Sequence, residues 1–133
     1  AITDALIVSV ADNIFAIPQS AVCEVMEIQT QSITALSQHE MFFYRDQVIP
    51  LLRLSHLFHL PVTSKPTLPI LIVKTGGSTV GIAIDRIVGQ QEIVVRALTD
   101  PLVQVPGVVG ATELGNGHVV LILDTSTLIR FAQ

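Results

Sequence analysis

Three features of the amino-acid sequence predict an all-β fold built from two similar small β-barrels. Short runs of β-branched and apolar residues recur along the chain, turn-forming residues separate them, and the whole pattern occurs twice. At 133 residues the chain has the size of a single domain, which is expected to bury roughly two-thirds of the surface of its unfolded form. We therefore predict one domain over 1–133 with a first lobe at about 5–60, a connector at about 60–69 and a second lobe at about 70–131.

The internal duplication rests on two pairs of similar segments. Residues 5–17 align with residues 70–82, and both contain Leu-Ile-Val, while residues 48–58 align with residues 119–129. Each half begins with an apolar hairpin and ends with a strand that runs into a short helix. Two small barrels follow, because closure removes the exposed strand edges that such hairpins would otherwise leave.

Turn residues mark the hairpins. Residues that tolerate a positive φ predict the turn of the first hairpin at 12–13 and that of the second at 76–77. The sequence Gly-Asn-Gly at 115–117 predicts a further hairpin between two apolar runs. Strands are therefore expected to dominate the fold.

Helical signals are short. Pro18 followed by 19–22 suits the first turn of a short helix, and Asp124 and Ser126 are each candidates to cap a final helix at about 125–131.

The connector is rich in proline. Pro61, Pro66 and Pro69 are expected to keep residues 60–69 out of a strand ladder or a helix interior, because proline lacks a backbone N–H.

Composition narrows the classes of partner. Half of the residues are hydrophobic, yet no apolar run approaches the ~18 residues that a spanning helix needs, so no direct membrane insertion is expected. Charged residues make up 14%, below the ~25% of typical soluble domains, which predicts an apolar, docking surface. The seven Lys and Arg are scattered and the net charge is -4, so nucleic acid is not expected as a partner.

The lone Cys23 excludes an internal disulfide and favours a cytoplasmic location. The chain begins without Met and without the pattern of a signal peptide, so a segment of a longer polypeptide is one interpretation.

Three motifs that resemble catalytic or ligand-binding sites have simpler interpretations. His56 and His59 have metal-ligand spacing but no third ligand close by on the C-terminal side. The glycine-rich 76–81 lacks the Lys of a phosphate-binding loop and leads into a strand rather than a helix. Asp124-Thr125-Ser126 is similar to the catalytic loop of aspartic proteases, but too few residues follow it, and a helix N-cap is the preferred interpretation.

Cys23 lies in an apolar, strand-like stretch with no His adjacent in sequence, and we expect it to pack rather than to react. The sequence therefore predicts no catalytic residue, no metal site and no cofactor.

Four motifs occur in a characteristic order, and they span nearly the whole chain. They are 15–18 with 22–25, then 44–54, then 80–89, and finally 107–124. Together they resemble the CheW-like domains of bacterial chemotaxis, which occur as free adaptors and as the C-terminal regulatory domain of CheA-type histidine kinases. The last motif is more similar to the kinase-borne version.

The resemblance implies two pseudo-symmetric five-stranded SH3-like barrels with short helices, including one at the C-terminus. It also implies a non-catalytic docking domain whose partners are the cytoplasmic tip of a chemoreceptor, a CheW-type adaptor and a CheA kinase. Such domains pair end to end and offer an apolar groove between the lobes to the receptor. By motif position, the implied contact residues here are Val22, Val25, Arg45, Ile87 and Val88.

Two interpretations stay open for each of these residues. The four apolar side chains either line the groove or belong to the barrel cores. Arg45, at a hairpin tip, either donates hydrogen bonds to a partner helix or is a solvated turn residue. Asp46 follows it where the family usually has Gly; Asp tolerates left-handed backbone geometry, but its carboxylate is expected to neutralise part of the Arg45 charge.

Other functions remain as alternatives. The first is a free CheW adaptor, which this sequence alone does not separate from a kinase-borne domain. A small-ligand-binding β-barrel would need strands that alternate around a cavity, whereas these strands are apolar at successive positions. An aspartic protease is the third alternative.

Overall fold

The computed structural model describes residues 1–98 and 105–132. Within them the chain forms two short α-helices, α1 (Leu54–Leu57) and α2 (Thr125–Ala132), and two 3-10 turns at Gln19–Ala21 and Thr30–Ser32. All other regular elements are strands: β1 (Ile2–Val10), β2 (Asn13–Pro18), β3 (Glu24–Gln29), β4 (Thr34–Leu36), β5 (His39–Tyr44), β6 (Gln47–Arg53), β7 (Thr67–Thr75), β8 (Ser78–Ala83), β9 (Arg86–Val94), β10 (Val108–Glu113) and β11 (Val119–Leu123). The predicted all-β fold with a C-terminal helix is confirmed.

The two halves of the chain contain the same elements in the same order. We call β1 to α1 the first half and β7 to α2 the second half. Strands β7 and β8 repeat β1 and β2 with the same lengths, 65 residues later along the chain. Strands β3, β5 and β6 likewise correspond to β9, β10 and β11, and α1 corresponds to α2, while β4 has no counterpart among the described residues.

The sheets do not coincide with the halves. One sheet has the strand order β10-β11-β2-β1-β9, and the other has the order β3-β7-β8-β6-β5-β4. Each sheet therefore takes its hairpin, β1–β2 or β7–β8, from one half and its other strands from the other half. The predicted lobes at 5–60 and 70–131 are therefore the two sequence repeats and not the two sheets. Sequence similarity shows which segments adopt the same conformation, but it does not show which strands pair.

The exchange of hairpins is symmetric in detail. Strand β2 runs parallel to β11, and β8 runs parallel to β6. The pair Ile122 and Ala16 in the first ladder occupies the same position as the pair Leu51 and Gly81 in the second. The two sheets are thus related by pseudo-two-fold symmetry, and equivalent residues pair with each other in both parallel ladders.

Both sheets curl until their edges approach. In the five-stranded sheet, Arg96 and Ala111 exchange two backbone hydrogen bonds of 2.9 and 2.8 Å, which link the chain after β9 to β10. Gly110 allows this approach, because a Cβ atom there would lie 2.5 Å from the Arg96 carbonyl oxygen. In the other sheet the edge strands β3 and β4 are joined by the 3-10 turn Thr30–Ser32, and β4 adds a sixth strand to the five expected.

The hairpins β1–β2 and β7–β8 bury both of their faces. Along β1, Ala5 and Ile7 point into the five-stranded barrel, whereas Leu6 and Val8 point into a core between the two sheets. We call that cluster the central core; it is formed by Leu6, Val8, Val10, Phe15, Ile17, Leu54, Leu71, Val73, Val80, Ile82, Ile84, Leu123, Leu128 and Ile129. Burial on both sides explains the continuous apolar runs of the sequence.

The first hairpin turns one residue earlier than predicted. Val10 pairs with Asn13, so the turn residues are Ala11 and Asp12, with φ of 48° and 65°. The Asp85 carboxylate accepts a 2.7 Å hydrogen bond from the Ala11 N–H, which holds this turn against the other half of the chain. The predicted turns at 76–77 and 115–117 are found where expected.

Pro69 lies inside β7 opposite Glu27, so the prediction that it belongs to the connector was wrong. Its carbonyl accepts a 3.1 Å hydrogen bond from the Ile84 N–H, just beyond the end of β8 at Ala83. The N–H and C=O of a strand residue point to the same neighbouring strand. The backbone N–H that Pro69 lacks would therefore face the end of β8, where few ladder hydrogen bonds remain to be made. Residues 60–66 carry no strand or helix, as predicted.

The helical predictions were close. Pro18 ends β2 and directly precedes the 3-10 turn Gln19–Ala21. Asp124 caps α2: its carboxylate accepts hydrogen bonds from the Ser126 N–H at 3.2 Å and from the Thr127 hydroxyl at 2.6 Å. Across the described ranges, every helix is too short to cross a membrane.

Candidate partner-binding surface

The candidate residues lie on two equivalent edge strands and one hairpin tip. Val25 lies at the start of β3, and Val22 lies two residues before that strand, directly after the 3-10 turn Gln19–Ala21. Ile87 and Val88 lie at the start of β9. Both strands are at the edges of their sheets and pair with a hairpin strand from the other half. Val22 and Ile87 are equivalent under the duplication, and each packs, partly buried, against the central core.

Val25 is exposed to 44%. It pairs with Leu71 of β7, whose side chain belongs to the central core. Side chains of paired residues point to the same face of a sheet, so Val25 extends the face of the central core out to the edge of β3. It is an apolar side chain at the rim of that core.

Val88 is exposed to 47% because β9 contains a β-bulge. Gly89 pairs with Ile7 and Ile87 pairs with Val8, so Val88 is the extra residue, without an opposite residue in β1. A bulge changes the direction of a side chain relative to the regular strand. The core interpretation therefore applies in part to Val22 and Ile87, whereas Val25 and Val88 are at the surface.

Arg45 occupies the tip of the β5–β6 hairpin with φ of 46°, followed by Asp46 with φ of 64°. The Arg45 side chain is 71% exposed and donates a 2.9 Å hydrogen bond to the Glu24 carboxylate. It also donates a 3.0 Å hydrogen bond to the Tyr44 hydroxyl, which itself donates to Glu24 at 2.8 Å. Asp46 thus supports the turn as expected, but Glu24 supplies the carboxylate that neutralises Arg45.

The electrostatics of this cluster favour the ion pair. Two hydrogen bonds lower the pKa of the Glu24 carboxyl; the one from Arg45 has the larger effect and the one from Tyr44 the smaller. The Glu24 carboxylate in turn raises the pKa of the Arg45 guanidinium. The guanidinium lies 5.5 Å from the centre of the Tyr44 ring, so a partner would meet Arg45 already oriented by two side chains.

Sequence reasoning missed Glu24 and Tyr44 as partners of Arg45. Both residues fall inside the quoted motifs, but the contact between Glu24 and Arg45 joins β3 to the β5–β6 hairpin across the barrel. A tertiary contact between residues 21 positions apart leaves no periodic signal. The exposed pair Phe43 and Val48, on the outer face of β5 and β6, was also missed.

The residues that resembled catalytic or metal sites are placed as follows. The Asp124 carboxylate is used as a helix cap. Among the described residues, no three His, Cys, Asp or Glu side chains are grouped closely enough to hold a metal ion. Cys23 is exposed rather than packed, because it precedes an edge strand, where its N–H donates to the Ile72 carbonyl at 2.8 Å.

The CheW-like domain family matches residues 4–133 of this chain. The CheA chemotaxis protein of Borreliella burgdorferi is 36% identical over 131 residues, and that of Bacillus subtilis is 34% identical over 130 residues. The CheA protein of Treponema pallidum is 33% identical over 132 residues. These alignments cover 96%, 96% and 97% of this chain but 15%, 19% and 16% of the relatives, so the chain spans less than a fifth of their length.

A solved structure has the same fold. The crystal structure of the scaffolding protein TtCheW from Thermoanaerobacter tengcongensis superposes with a TM-score of 0.77 at 18% sequence identity. The superposition covers 93% of this chain and 90% of that one. The resemblance seen in the sequence motifs is therefore confirmed by both sequence and fold.

Proposed function

Because this chain belongs to the CheW-like domain family, we propose that it is a non-catalytic docking domain that couples a chemotaxis-type histidine kinase to chemoreceptors. Its proposed partners are the cytoplasmic tip of a chemoreceptor, a CheW-type adaptor and the CheA kinase. The names of the relatives support this assignment, since they are chemotaxis CheA proteins aligned over nearly the whole of this chain.

One observation carries the proposal: the implied contact positions include apolar side chains that the fold leaves at the surface. Val25 and Val88 are 44% and 47% exposed although both belong to edge strands beside the central core. Half-exposed apolar residues that flank partly buried ones are typical of an interface, where a few side chains carry most of the binding energy. Val22 and Ile87 are the partly buried neighbours.

Arg45 supplies the polar part of the proposed contact. Its guanidinium is exposed and is oriented by Glu24 and Tyr44. A guanidinium can hydrogen-bond carboxylates or free backbone carbonyls of a partner helix. In this proposal the apolar residues bind the partner and Arg45 fixes its orientation.

The mechanism is positional. Docking fixes the kinase beside its receptor, and a signal is transmitted when the contact differs in free energy between two states of the assembly. The side chain of Asp124, the residue that resembled a catalytic Asp of the aspartic proteases, accepts hydrogen bonds as a helix cap, which supports a role without catalysis. The proposed location is the cytoplasm, where an exposed single thiol such as that of Cys23 stays reduced.

A free CheW adaptor is the second candidate function. The fold of TtCheW, a scaffolding protein that this chain matches over 93% of its length, favours it. The two candidates differ in what is attached: a kinase-borne domain follows an ATP-binding domain in the same polypeptide, and a free adaptor does not. The full-length gene product distinguishes them.

A binding titration tests the proposal. The domain is titrated with a soluble helical-hairpin fragment of a chemoreceptor tip and, separately, with a CheW adaptor, and heat release is measured by calorimetry. We expect saturable binding of one copy of each partner. The absence of heat and of complex with both partners at high concentration would refute the docking function without affecting the fold.

A further inference from the structure

We propose that two copies of this chain can assemble by exchanging halves, so that the first half of each copy completes both sheets with the second half of the other. The basis is the exchange of hairpins already present within one chain. Every contact needed between the copies exists inside the single chain. This inference is independent of the proposed docking function.

Four strand ladders join the two halves. Strand β1 pairs with β9, β3 with β7, β2 with β11, and β6 with β8. In each sheet the hairpin lies between strands of the other half, so a half alone leaves a gap between β3 and β6 or between β9 and β11. Each half therefore has four unpaired strand edges, two beside its gap and two on its hairpin, that only another half can fill.

The central core is also divided between the halves. Leu6 and Val8 come from the first half, and Leu71 and Val73 come from the second. All four are buried, with exposures of 4%, 0%, 0% and 1%. Neither half can bury these side chains alone. Association of a first half with a second half is therefore strongly favoured, whether the two belong to the same chain or to two copies.

A short, exposed connector is the covalent link between the halves. Residues 61–67 are all exposed, and 60–66 carry no strand or helix. Two backbone hydrogen bonds hold its ends, from the Leu60 N–H to Ser55 at 2.7 Å and from the Thr30 N–H to Pro66 at 2.8 Å. Straightening the connector costs few contacts, which is the requirement for a hinge in domain swapping.

The packing of Phe42 on Gly81 makes the exchange selective for unlike halves. A Cβ atom on Gly81 would lie 2.5 Å from Cε1 of Phe42 and 2.9 Å from Cγ2 of Ile70. The residue equivalent to Gly81 in the first hairpin is Ala16, which carries that Cβ. The gap between β3 and β6 therefore disfavours the hairpin of another first half, which would bring Ala16 against Phe42. Pairing is expected between a first half and a second half.

The balance between monomer and exchanged dimer is set by concentration. Within one chain the connector gives each half a local concentration on the order of millimolar relative to the other half. The monomer is therefore favoured in dilute solution, and the exchanged dimer forms when the chain folds at comparable concentrations.

A pair of complementary variants of the full chain tests the exchange. Gly81→Val clashes with Phe42, and Phe42→Ala leaves a cavity above Gly81, so each variant alone is expected to melt below the wild type. Exchange in a mixture creates one wild-type pair and one compensated pair. After joint refolding at about millimolar concentration, we expect a species of twice the 14.3 kDa mass whose Tm exceeds that of either variant alone.

A mixture that contains only monomers, each melting at its own lower Tm, would overturn the proposal. The matched control is Phe42→Ala/Gly81→Val in one chain, which should melt above Gly81→Val as a monomer. This control shows whether the compensated pair is itself stable.

A second measurement uses the wild-type halves and does not depend on compensation. Isotopically heavy and light chains carrying a protease site inserted at 62–64 are refolded together, and the dimer is isolated and cleaved. Exchange predicts folded particles of monomer size with one heavy half and one light half, detected by native mass spectrometry. Particles with only matched halves, or no dimer at all, would refute the exchange.

Discussion

Val25 and Val88 have the same chemistry as the buried valines of the hairpins but a different exposure. Val8 of β1 is fully buried, whereas Val25 and Val88 expose nearly half of their surface. The difference comes from their position on edge strands and, for Val88, from the β-bulge. A charge should therefore be tolerated by the fold at these two positions and not at Val8.

Val25→Asp and Val88→Asp should each change the free energy of unfolding by less than about 1 kcal/mol, because water still reaches the new carboxylate. Binding of the receptor fragment should weaken at least tenfold, about 1.4 kcal/mol, because a charge would be buried without a partner at the interface. Denaturant unfolding and a binding titration measure the two effects.

The matched control is Val62→Asp, a 52% exposed valine in the connector, which should leave the affinity for the receptor fragment unchanged. If Val25→Asp unfolds the domain, that residue belongs to the core. If both variants bind as well as Val62→Asp, the surface proposed for docking is wrong.

Glu24→Gln tests the ion pair with Arg45. The pKa of Glu24 is lower in the folded chain than in the unfolded chain, so its carboxylate stabilises the fold above the unfolded value of about 4.3. That stabilisation is lost as the pH falls through the lower folded pKa. Denaturant unfolding should therefore show wild type more stable than Glu24→Gln at neutral pH, with the difference shrinking in acid.

Glu27→Gln is the control for this prediction, because Glu27 is exposed on the same strand and removing its charge leaves the Arg45 pair intact. An equal pH dependence of both variants would show that general charge, rather than this ion pair, governs the effect.

At the scale of elements, the closure of the five-stranded barrel depends on Gly110. A methyl group on Gly110 would meet the Arg96 carbonyl at 2.5 Å, and a backbone atom in a ladder cannot move aside as a flexible side chain can. Gly110→Ala should therefore lower the free energy of unfolding by about 1–3 kcal/mol. Thermal or denaturant unfolding measures this loss.

Gly89→Ala provides the control, because Gly89 also lies in a strand and no atom is within 4 Å of the added methyl group. It should be neutral or slightly stabilising. Equal losses for the two variants would mean that the effect comes from replacing any strand glycine and not from closure of the barrel at Gly110.

Local chemistry allowed most elements to be predicted, and the errors have identifiable causes. The turns at 76–77 and 115–117 and the cap at Asp124 depend on residues close in sequence. The first turn was displaced because Asp and Asn both tolerate positive φ, and a contact from Asp85 of the other half helps to hold it. Pro69 enters β7 because the neighbouring strand ends there, a fact that only the sheet reveals.

At the scale of the whole molecule, a core shared by both halves should make the domain unfold as one unit. The central core takes residues from both hairpins and both α-helices, so loss of one sheet exposes the other. Leu71→Ala should cost about 2–5 kcal/mol. Methyl signals of Ile93 in one barrel and Ile49 in the other should disappear at the same denaturant concentration in both wild type and variant.

Two separate transitions would contradict this prediction and would mean that the sheets are independent folding units.

The duplication could be read from the sequence, but the exchange of hairpins could not. Equivalent segments such as 5–17 and 70–82 adopt the same conformation, and this alone is compatible with two separate barrels. Tertiary packing favours the exchanged arrangement, because Phe42 packs on Gly81 of the second hairpin, whereas the first hairpin has Ala16 at the equivalent position. Motif position likewise identified the candidate residues, but their exposure depends on strand edges and a β-bulge that only the folded sheets define.

The proposed docking function requires that β3, β9 and the Arg45 hairpin tip contact the partners of this domain. Its most direct test is a chemical-shift titration of the labelled domain with a helical-hairpin fragment of a chemoreceptor tip, repeated with a CheW adaptor. We expect that the receptor fragment shifts the resonances of Val22, Val25, Arg45, Ile87 and Val88 and that the adaptor shifts one end of the domain. Resonances that stay unmoved by both partners at high concentration would contradict it.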